Sequence, residues 1–208
     1  MNVGVLGGTF DPIHVAHLIL AEEARVCLAL EEVVFVVAGA PWMKADYAVS
    51  PADLRLQMVR LAVASNPFFR ASAVEVERPG PTYTVDTLEA LKQEWGPEAE
   101  VFFLLGMDAL ADLPRWKDPG RFLQLCTPVV FARPGHELSV LDEAEAQLPG
   151  LKKRVKVLEG PSLGISSTEI RRRIALGKSV RYLVPAMVER FIAEHGLYRS
   201  QGNKQVQG

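Results

Sequence analysis

A segment near the N-terminus combines the residue types that bind phosphate. Gly7 and Gly8 follow a short apolar run at residues 1–6, and His14 and His17 come soon after them. Glycines let the backbone approach a ligand closely, and a helix N-terminus offers N–H groups and a positive dipole end to an anion. Because His14 and His17 are three residues apart, both project from one face of the following helix. Two imidazoles there can donate hydrogen bonds to a phosphate and, when protonated, offset its charge.

The segment differs from two common phosphate-binding loops. No Gly-Lys-Ser/Thr follows, so it is not a Walker A loop, and Leu6 and Thr9 stand where a GxGxxG pattern needs glycine. An ordinary turn with surface histidines is one alternative, and a metal site is another, although no third ligand lies nearby. The additional presence of Thr9 and of Asp11-Pro12 favours a phosphate site over both.

A second cluster of phosphate-binding residue types lies at residues 165–173. Ser166 starts a capping-box pattern with the glutamate three residues later, so local helix chemistry accounts for both. Ser167 and Thr168 offer hydroxyls and N–H groups at a helix N-terminus, and Arg171, one turn on, has a planar donor group suited to phosphate oxygens. By itself the cluster fits helix capping and phosphate binding equally well. The two arginines after Arg171 are expected on a solvated face.

Both clusters resemble motifs of one enzyme family. The first resembles the GGTFDPxHxGH motif of the nucleotidyltransferases, specifically the bacterial nicotinate mononucleotide adenylyltransferases, with Ala16 where the family usually has glycine. The second, ISSTEIR at residues 165–171, resembles the family's ISSTxIR motif, which binds the triphosphate of ATP. The resemblance covers residues 2 to about 198, nearly the whole chain.

Weaker matches lie between the two motifs. The segment TYTVDTL at residues 82–88 predicts a helix start with Thr84 as its cap, and it also resembles the family segment that lies against the nicotinate ring. Asp108, at the carboxyl end of the clearest strand, fits a ribose contact or a helix cap. Trp116 matches the tryptophan that stacks on the nicotinate ring in the family, and a core aromatic is the alternative.

Two further matches depart from the family or carry little information. Lys44 matches the family's lysine after the second strand, but Trp42-Met43 replaces the usual Pro-His before it. Any contact that the family's histidine makes is therefore lost. Residues 133–135, Arg-Pro-Gly, fit an adenine pocket and a plain turn equally well.

The resemblance implies a set of substrate contacts. For ATP they are Gly7, Gly8, Thr9, Phe10, His14, His17, Gly106, Asp108, Ile165, Ser167, Thr168 and Arg171. For nicotinate mononucleotide they are Thr9, Lys44, Thr84 and Trp116, and the catalytic residues are His14, His17 and Arg171. The implied reaction joins ATP and nicotinate mononucleotide into deamido-NAD and pyrophosphate in NAD biosynthesis. Mg²⁺ is expected to accompany ATP, without a metal site of the protein's own.

The elements that must position these residues alternate along the chain. Apolar runs predict strands at residues 1–6, 33–37, 70–76, 101–105, 128–132 and 155–158, with helices between them. Asp11 is expected to cap the first helix, with Pro12 at its first position. The alternation predicts an α/β fold with a doubly wound, Rossmann-like parallel sheet, helices on both faces and a ligand crevice at the carboxyl ends of the strands.

The C-terminal part of the chain predicts helices without a further strand. We expect residues 1–198 to form a single nucleotidyltransferase domain, with residues 165–198 as its C-terminal helical part. Residues 199–208 are polar and rich in glutamine, which favours a disordered tail.

Composition limits the partners. With 23 basic and 25 acidic side chains and a net charge of -2, the chain has no overall positive field for nucleic acid or an anionic membrane. No apolar run reaches the roughly 18 residues of a membrane span, and no signal peptide is visible. Cys27 and Cys126 are expected to be buried free thiols of a cytoplasmic protein. The expected partners are the two small-molecule substrates, and the oligomeric state stays open, with a homodimer as one option.

Three other functions stay open at this point. A sister enzyme such as pantetheine-phosphate adenylyltransferase shares the first and last motifs, although TYTVDTL and Trp116 argue against it. An NAD-dependent dehydrogenase shares the sheet pattern, but the missing GxGxxG counts against it. The third alternative is a noncatalytic nucleotide sensor.

Overall fold

A computed structural model describes residues 1–40, 49–132, 137–161 and 163–199 of the protein. Six strands form one sheet in the order β3-β2-β1-β4-β5-β6, and every neighbouring pair is parallel. The strands are β1 (Asn2–Gly8), β2 (Glu32–Val37), β3 (Phe69–Ser72), β4 (Glu100–Leu105), β5 (Thr127–Ala132) and β6 (Lys156–Glu159). The predicted doubly wound, Rossmann-like parallel sheet is therefore confirmed.

The helices connect these strands and complete the C-terminal part. They are α1 (Val15–Cys27), α2 (Ala52–Val63), α3 (Thr84–Trp95), α4 (Met107–Asp112), α5 (Pro119–Leu125), α6 (Glu137–Gln147), α7 (Ser167–Ala175) and α8 (Ala186–Glu194). In the described residues no helix is long and apolar enough to cross a membrane.

The core lies on both faces of the sheet because successive strand residues point to opposite sides. In β2, Val33, Phe35 and Val37 pack with side chains from α1, α2, α7 and α8. Val34 and Val36 face the other way and pack with side chains from α3, α4, α5 and α6. All five are almost completely buried, which explains why the strand is a continuous apolar run rather than an alternating one.

The centre of the sheet determines where a ligand can bind. Strands β1 and β4 are neighbours, and the connections that leave them run to opposite sides of the sheet. Leu6 pairs with Leu104, so Gly8 and Gly106 each lie two residues further on, at the carboxyl ends of adjacent strands. In a doubly wound sheet this switch point opens the crevice that binds ligands. The fold therefore places both glycines at one end of one crevice.

The first helix begins later than the sequence predicts. It starts at Val15, with His14 as its N-cap, instead of at Pro12 with Asp11 as its cap. The Asp11 carboxylate accepts hydrogen bonds from the Ser50 N–H and the Tyr198 hydroxyl, so it is not available to cap the helix. The prediction that Asp11 caps the helix is therefore wrong. It was based on local sequence, whereas the two residues that bind the carboxylate are distant in sequence.

Three smaller predictions also differ from the structure. Strand β3 ends at Ser72, and the Ser72 hydroxyl then accepts the Val74 N–H in a local turn. Helix α3 begins at Thr84, but its N-cap is Tyr83. Cys126 is buried as expected, whereas Cys27 is exposed at the last residue of α1.

Candidate active site

Close packing shapes the loop that follows β1. Phe10 is buried and has a φ of +49°, and its ring lies directly against Gly8. A Cβ added at Gly8 would lie 2.9 Å from Phe10 Cζ, which is closer than real Cβ contacts. Gly8 is therefore needed for the approach of this ring. Phe10 in turn contacts the His17 ring edge-on, with 5.1 Å between ring centroids.

The two histidines of the first motif form one unit. Their rings are stacked, with centroids 3.7 Å apart and 19° between the planes. The His14 backbone N–H donates to His17 Nδ1 at 3.2 Å. Because Nδ1 of His17 is an acceptor, the neutral His17 ring carries its proton on Nε2. The predicted proximity of the pair at the start of α1 is therefore confirmed.

The sequence allowed His14 to be a protonated, positively charged side chain, but its burial in the structure opposes that charge. Only 5% of the residue is exposed, and its Nδ1 is buried without a hydrogen-bond partner in the part of the chain that the structure describes. Burial lowers the pKa of His14 to about 4. Near pH 7 this imidazole is neutral, so it can donate or accept a hydrogen bond but adds no positive charge.

We expect the protein to lose stability below about pH 6.5 because of His14. An unfolded imidazole has a pKa of 6.5, whereas the folded pKa is about 4, so between these values the unfolded chain binds more protons. The free energy of unfolding therefore falls as the pH falls, by about 2 kcal/mol at about pH 5. Urea unfolding at about pH 7.5 and pH 5 measures this loss.

The His14→Gln variant is the comparison for this experiment, because glutamine does not titrate. It should lose about 2 kcal/mol less than the wild type over the same range. His195→Gln is the control, since His195 is exposed on the surface after α8. An equal loss in wild type and His14→Gln would show that other groups cause the acid sensitivity.

The second motif packs directly on the first. The Ser167 hydroxyl donates to the Pro12 carbonyl at 2.9 Å, and Arg171 Nη1 donates to the Asp11 carbonyl at 2.7 Å. Arg171 Nη2 also lies 3.4 Å from the Thr168 hydroxyl. Two segments about 155 residues apart in the chain therefore meet at one place. The Ser167 hydroxyl hydrogen and one Arg171 N–H take part in this contact, whereas Thr168 is exposed.

Helix α7 has the cap that its sequence predicts. The Ser166 hydroxyl accepts the Glu169 N–H at 3.2 Å. The Glu169 carboxylate does not complete the predicted capping box. It accepts hydrogen bonds instead from Arg172 at 2.7 Å and Arg173 at 3.2 Å. Arg172 is exposed, in agreement with the expected solvated face. Ile165, just before the cap, is half-buried and packs against the core.

Residues of the C-terminal part of the chain also form hydrogen bonds with the first motif. The Tyr198 hydroxyl donates to Asp11 Oδ1 at 2.6 Å, and the Val15 N–H donates to the Leu183 carbonyl at 3.0 Å. Burial and the hydrogen bond to Asp11 both raise the pKa of Tyr198, so its hydroxyl keeps its proton. The sequence motifs do not include Tyr198. Its only signal is that the resemblance extends to residue 198.

Arg55 is a further residue that the motifs missed. It lies on α2 and is 1% exposed, and its guanidinium donates to backbone carbonyls of three separate segments, including that of Thr9 at 2.8 Å. A signal was present in the sequence, because Arg55 falls on the same helical face as Met58, Val59 and Ala62, which are all buried. An arginine on an apolar face indicates a buried set of acceptors.

Two of the residues that the resemblance assigns to nicotinate mononucleotide, Thr84 and Trp116, lie beside the core cluster on the other face of the sheet. Lys117 Nζ binds both oxygens of Asp86, at 3.0 and 2.9 Å, and lies 4.6 Å from the centroid of the Tyr83 ring. The loop that contains Trp116 is thereby held against the start of α3, where Thr84 lies. Trp116 itself is half-buried and packs edge-on against Phe122, at 5.4 Å.

Gly106 and Asp108 lie at the carboxyl end of β4, and both are exposed. Gly106 is the N-cap of α4 and Asp108 is in the first turn, so the helix-cap alternative for Asp108 is wrong. Two assignments lie outside the described residues: Lys44 and residues 133–135. The expected tail at 199–208 is described only at Arg199.

The donors at this site suit phosphate better than a protein-bound metal ion. No group of three or more His, Cys, Asp or Glu side chains within the described ranges could hold a metal ion. Asp11 is buried, and both of its carboxylate oxygens already accept hydrogen bonds. The other polar groups at the meeting point of α1 and α7 include imidazoles, backbone N–H groups and a guanidinium, which are donor types that suit an anion.

Comparison with known proteins finds a matching family model and full-length relatives that share one name. The model of the cytidylyltransferase-like family matches residues 5–173. A relative from Thermus thermophilus is 48% identical over 199 residues, covering 96% of this chain and 100% of the relative. One from Moorella thermoacetica is 46% identical over 199 residues, covering 95% and 92%. One from Dehalococcoides mccartyi is 45% identical over 201 residues, covering 97% and 98%. All three bear the name "Probable nicotinate-nucleotide adenylyltransferase".

Solved structures agree with the fold. The nicotinic acid mononucleotide adenylyltransferase of Plasmodium falciparum, complexed with NaAD, superposes with a TM-score of 0.74 at 21% identity, covering 95% of this chain and 97% of that chain. A putative nicotinate-nucleotide adenylyltransferase from Vibrio parahaemolyticus gives a TM-score of 0.64 at 17% identity, covering 96% of both chains. Together with the full-length relatives, the match over residues 5–173 shows that the chain belongs to the cytidylyltransferase-like family, among the nicotinate-nucleotide adenylyltransferases.

Proposed function

We propose that this protein transfers the adenylyl group of ATP to nicotinate mononucleotide, releasing pyrophosphate and forming deamido-NAD for NAD biosynthesis. The observation that carries the proposal is the contact between the two phosphate-binding motifs, Ser167 to Pro12 and Arg171 to Asp11. It brings two helix N-termini and a pair of imidazoles to the switch point of the sheet. The full-length relatives carry the name of this activity.

The reaction needs little covalent chemistry from the protein. The phosphate of nicotinate mononucleotide is already a nucleophile near pH 7, so it attacks the α-phosphorus of ATP directly. A bond forms from an acceptor phosphate oxygen to this phosphorus, and the bond to the bridging oxygen of the β-phosphate breaks. Negative charge builds up at the α-phosphate and on the departing pyrophosphate. The protein has to align the two anions and stabilise that charge.

We assign the two imidazoles to the α-phosphate. His17 would donate its Nε2 proton to a phosphate oxygen, because its Nδ1 is held by the His14 backbone N–H. His14 would act as a neutral donor from a buried position, since its pKa of about 4 keeps it uncharged. A positioned donor strengthens as charge develops on the oxygen and needs no reorganisation during the reaction. Thr9 and Lys44 are proposed to position the phosphates.

We assign the β- and γ-phosphates to the start of α7. Here Thr168 is exposed, and the first N–H groups of the helix have no partners within the helix. Arg171 would add positive charge to the same site. The remaining proposed contacts with ATP are Gly7, Gly8, Phe10, Gly106, Asp108 and Ile165. Thr84 and Trp116 are proposed to bind the pyridine ring and its carboxylate.

Mg²⁺ enters this proposal as part of the substrate MgATP. Magnesium prefers oxygen ligands in octahedral geometry and usually keeps several waters. The Asp11 carboxylate, which is buried beside the motifs, is already bound by Ser50 and Tyr198. We therefore propose that triphosphate oxygens and water hold the ion. The chain's own part is to bind the phosphates around it.

We further propose that residues 1–198 work as a single unit in the cytoplasm on these small molecules. The support is that Tyr198 and the α7 residues all bond to the Asp11-Pro12 segment. A chain cut before α7 would lose these contacts. The oligomeric state is separate from this proposal.

An acceptor panel tests the function. Purified protein with ATP and Mg²⁺ should release pyrophosphate with nicotinate mononucleotide, and the ratio of turnover on nicotinate and nicotinamide mononucleotides measures its selectivity. Pyrophosphate from phosphopantetheine alone would instead identify the sister transferase. ATP binding without turnover on any acceptor would support a sensor, and a change in NADH absorbance with candidate substrates would support a dehydrogenase.

A further inference from the structure

Arg55 is the most completely buried cation in the described part of the chain. It lies in the first turn of α2, and 1% of the residue is exposed. Four of its N–H groups donate to backbone carbonyls. Nη1 binds the carbonyls of Thr9 at 2.8 Å and Ala38 at 2.7 Å, Nη2 binds that of Gly39 at 3.2 Å, and Nε binds that of Ser50 at 2.8 Å. Such bonds to a charged donor are stronger than bonds between neutral groups.

These carbonyls come from three separate segments around the loop that follows β1. Thr9 follows β1, Ala38 and Gly39 follow β2, and Ser50 precedes α2. The Ser50 N–H also donates to Asp11 Oδ2 at 3.2 Å. One guanidinium therefore holds Thr9 directly and Asp11 through Ser50. These two residues flank Phe10, whose φ of +49° requires the surrounding structure to hold it.

The bond to Thr9 has a directional consequence. In a trans peptide the carbonyl and the N–H of the next residue point in opposite directions. Since the Thr9 carbonyl points at Arg55, the Phe10 N–H points away from Arg55. Rotation of this peptide would leave the Thr9 carbonyl without its charged donor. The guanidinium thus fixes the direction in which the loop presents an N–H group.

We propose that Arg55 is a positioning residue of the adenylyl-transfer site, which holds the loop at Thr9 and Asp11 so that the Phe10 N–H faces a substrate phosphate. The inference rests on the proposed function and assigns the residue that keeps the loop in its active geometry. Lysine cannot replace arginine here, because a single ammonium group lacks the planar fork that reaches carbonyls in different directions. Arg55 itself touches no substrate and acts through the backbone.

Arg55→Lys is the main test, with Arg60→Lys as its matched control on the exposed side of the same helix. Misplacement of a catalytic group by about 1 Å costs about 10²-fold in rate, so kcat should fall by about 10- to 100-fold in Arg55→Lys. Turnover is measured at saturating substrates and at least 15 °C below the melting temperature of each variant. Arg60→Lys should stay within about twofold of the wild type.

A purely structural role would produce a different result. Arg55→Lys would then melt at a lower temperature but keep its kcat within about threefold while folded, and that outcome would overturn the proposal. Arg55→Gln provides a second, neutral variant with fewer donors, and it should lose at least as much turnover as Arg55→Lys. Full turnover in either folded variant would contradict a positioning role.

Hydrogen–deuterium exchange of the Phe10 amide tests the same proposal without a measurement of turnover. The Phe10 amide should exchange faster in Arg55→Lys than in the wild type, and saturating ATP should protect it less. Unchanged exchange and unchanged protection would overturn the proposal. If the wild type fails to make deamido-NAD but the exchange result holds, the proposed function fails while the role of Arg55 in holding the loop stands.

Discussion

Turnover in the His17→Ala variant is expected to fall by about 10²- to 10³-fold while the protein stays folded. The reason is that His17 Nδ1 accepts the His14 N–H, so the neutral ring carries its proton on Nε2, the atom that we propose as the donor to the α-phosphate. Loss of one positioned donor of this kind costs about 3 to 4 kcal/mol of transition-state stabilisation. Steady-state release of pyrophosphate from ATP and nicotinate mononucleotide measures the effect, and circular dichroism checks the fold.

A second variant separates this role from packing. In His17→Asn the side-chain oxygen can still accept the His14 N–H, but no donor takes the place of Nε2. We therefore expect His17→Asn to be almost as slow as His17→Ala. His195→Ala, outside the site on the exposed end of α8, should keep full turnover. Near-normal rates in His17→Ala would remove His17 from the catalytic residues.

The Arg171→Ala variant is expected to lose about 10²-fold or more in kcat/KM for ATP. This side chain has two roles in the proposed site. It binds the Asp11 carbonyl at 2.7 Å, which joins the two motifs, and it supplies positive charge beside the β- and γ-phosphates. Removing it therefore weakens both the geometry of the crevice and its attraction for the triphosphate. Initial rates over a range of ATP concentrations measure the loss.

The neighbouring arginine provides a matched control for this variant. Arg172 is exposed and binds Glu169 at 2.7 Å on the outer side of α7. Arg172→Ala removes the same charge from the same helix, and we expect kcat/KM for ATP to change by about twofold or less. Similar losses in both variants would mean that the net charge of α7 matters, rather than the position of Arg171.

The fold could be predicted because its signal is local and repeated. Strand β2 shows the reason: five consecutive residues from Val33 are buried on both faces of a parallel sheet, and such strands are continuous apolar runs. Helices between runs of this kind favour parallel pairing of the strands, with helices packed on the faces of the sheet. The motif residues were also predictable, since each motif lies within a few residues of one helix N-terminus.

The errors arose where a distant residue competes for a local group. Asp11 has the right type and position to cap a helix, yet Ser50 and Tyr198 bind its carboxylate and the helix starts at Val15. His14 was expected to offset phosphate charge when protonated, but its burial lowers its pKa to about 4. Burial and long-range partners follow from packing, so no local pattern contains them.

The sequence by itself determined the class of fold, the alternation of strands and helices in a parallel sheet, and the residue types that can bind two polyanions. Only the tertiary structure decided how these residues meet. Helix α7 packs on the first motif through Ser167 and Arg171, and Tyr198 and Arg55 hold the loop from the other sides. The physical reason is the sequence range of the interactions. Periodicity and capping act over a few residues, whereas the contacts of this loop with Arg55 and Tyr198 include pairs 46 and 187 positions apart.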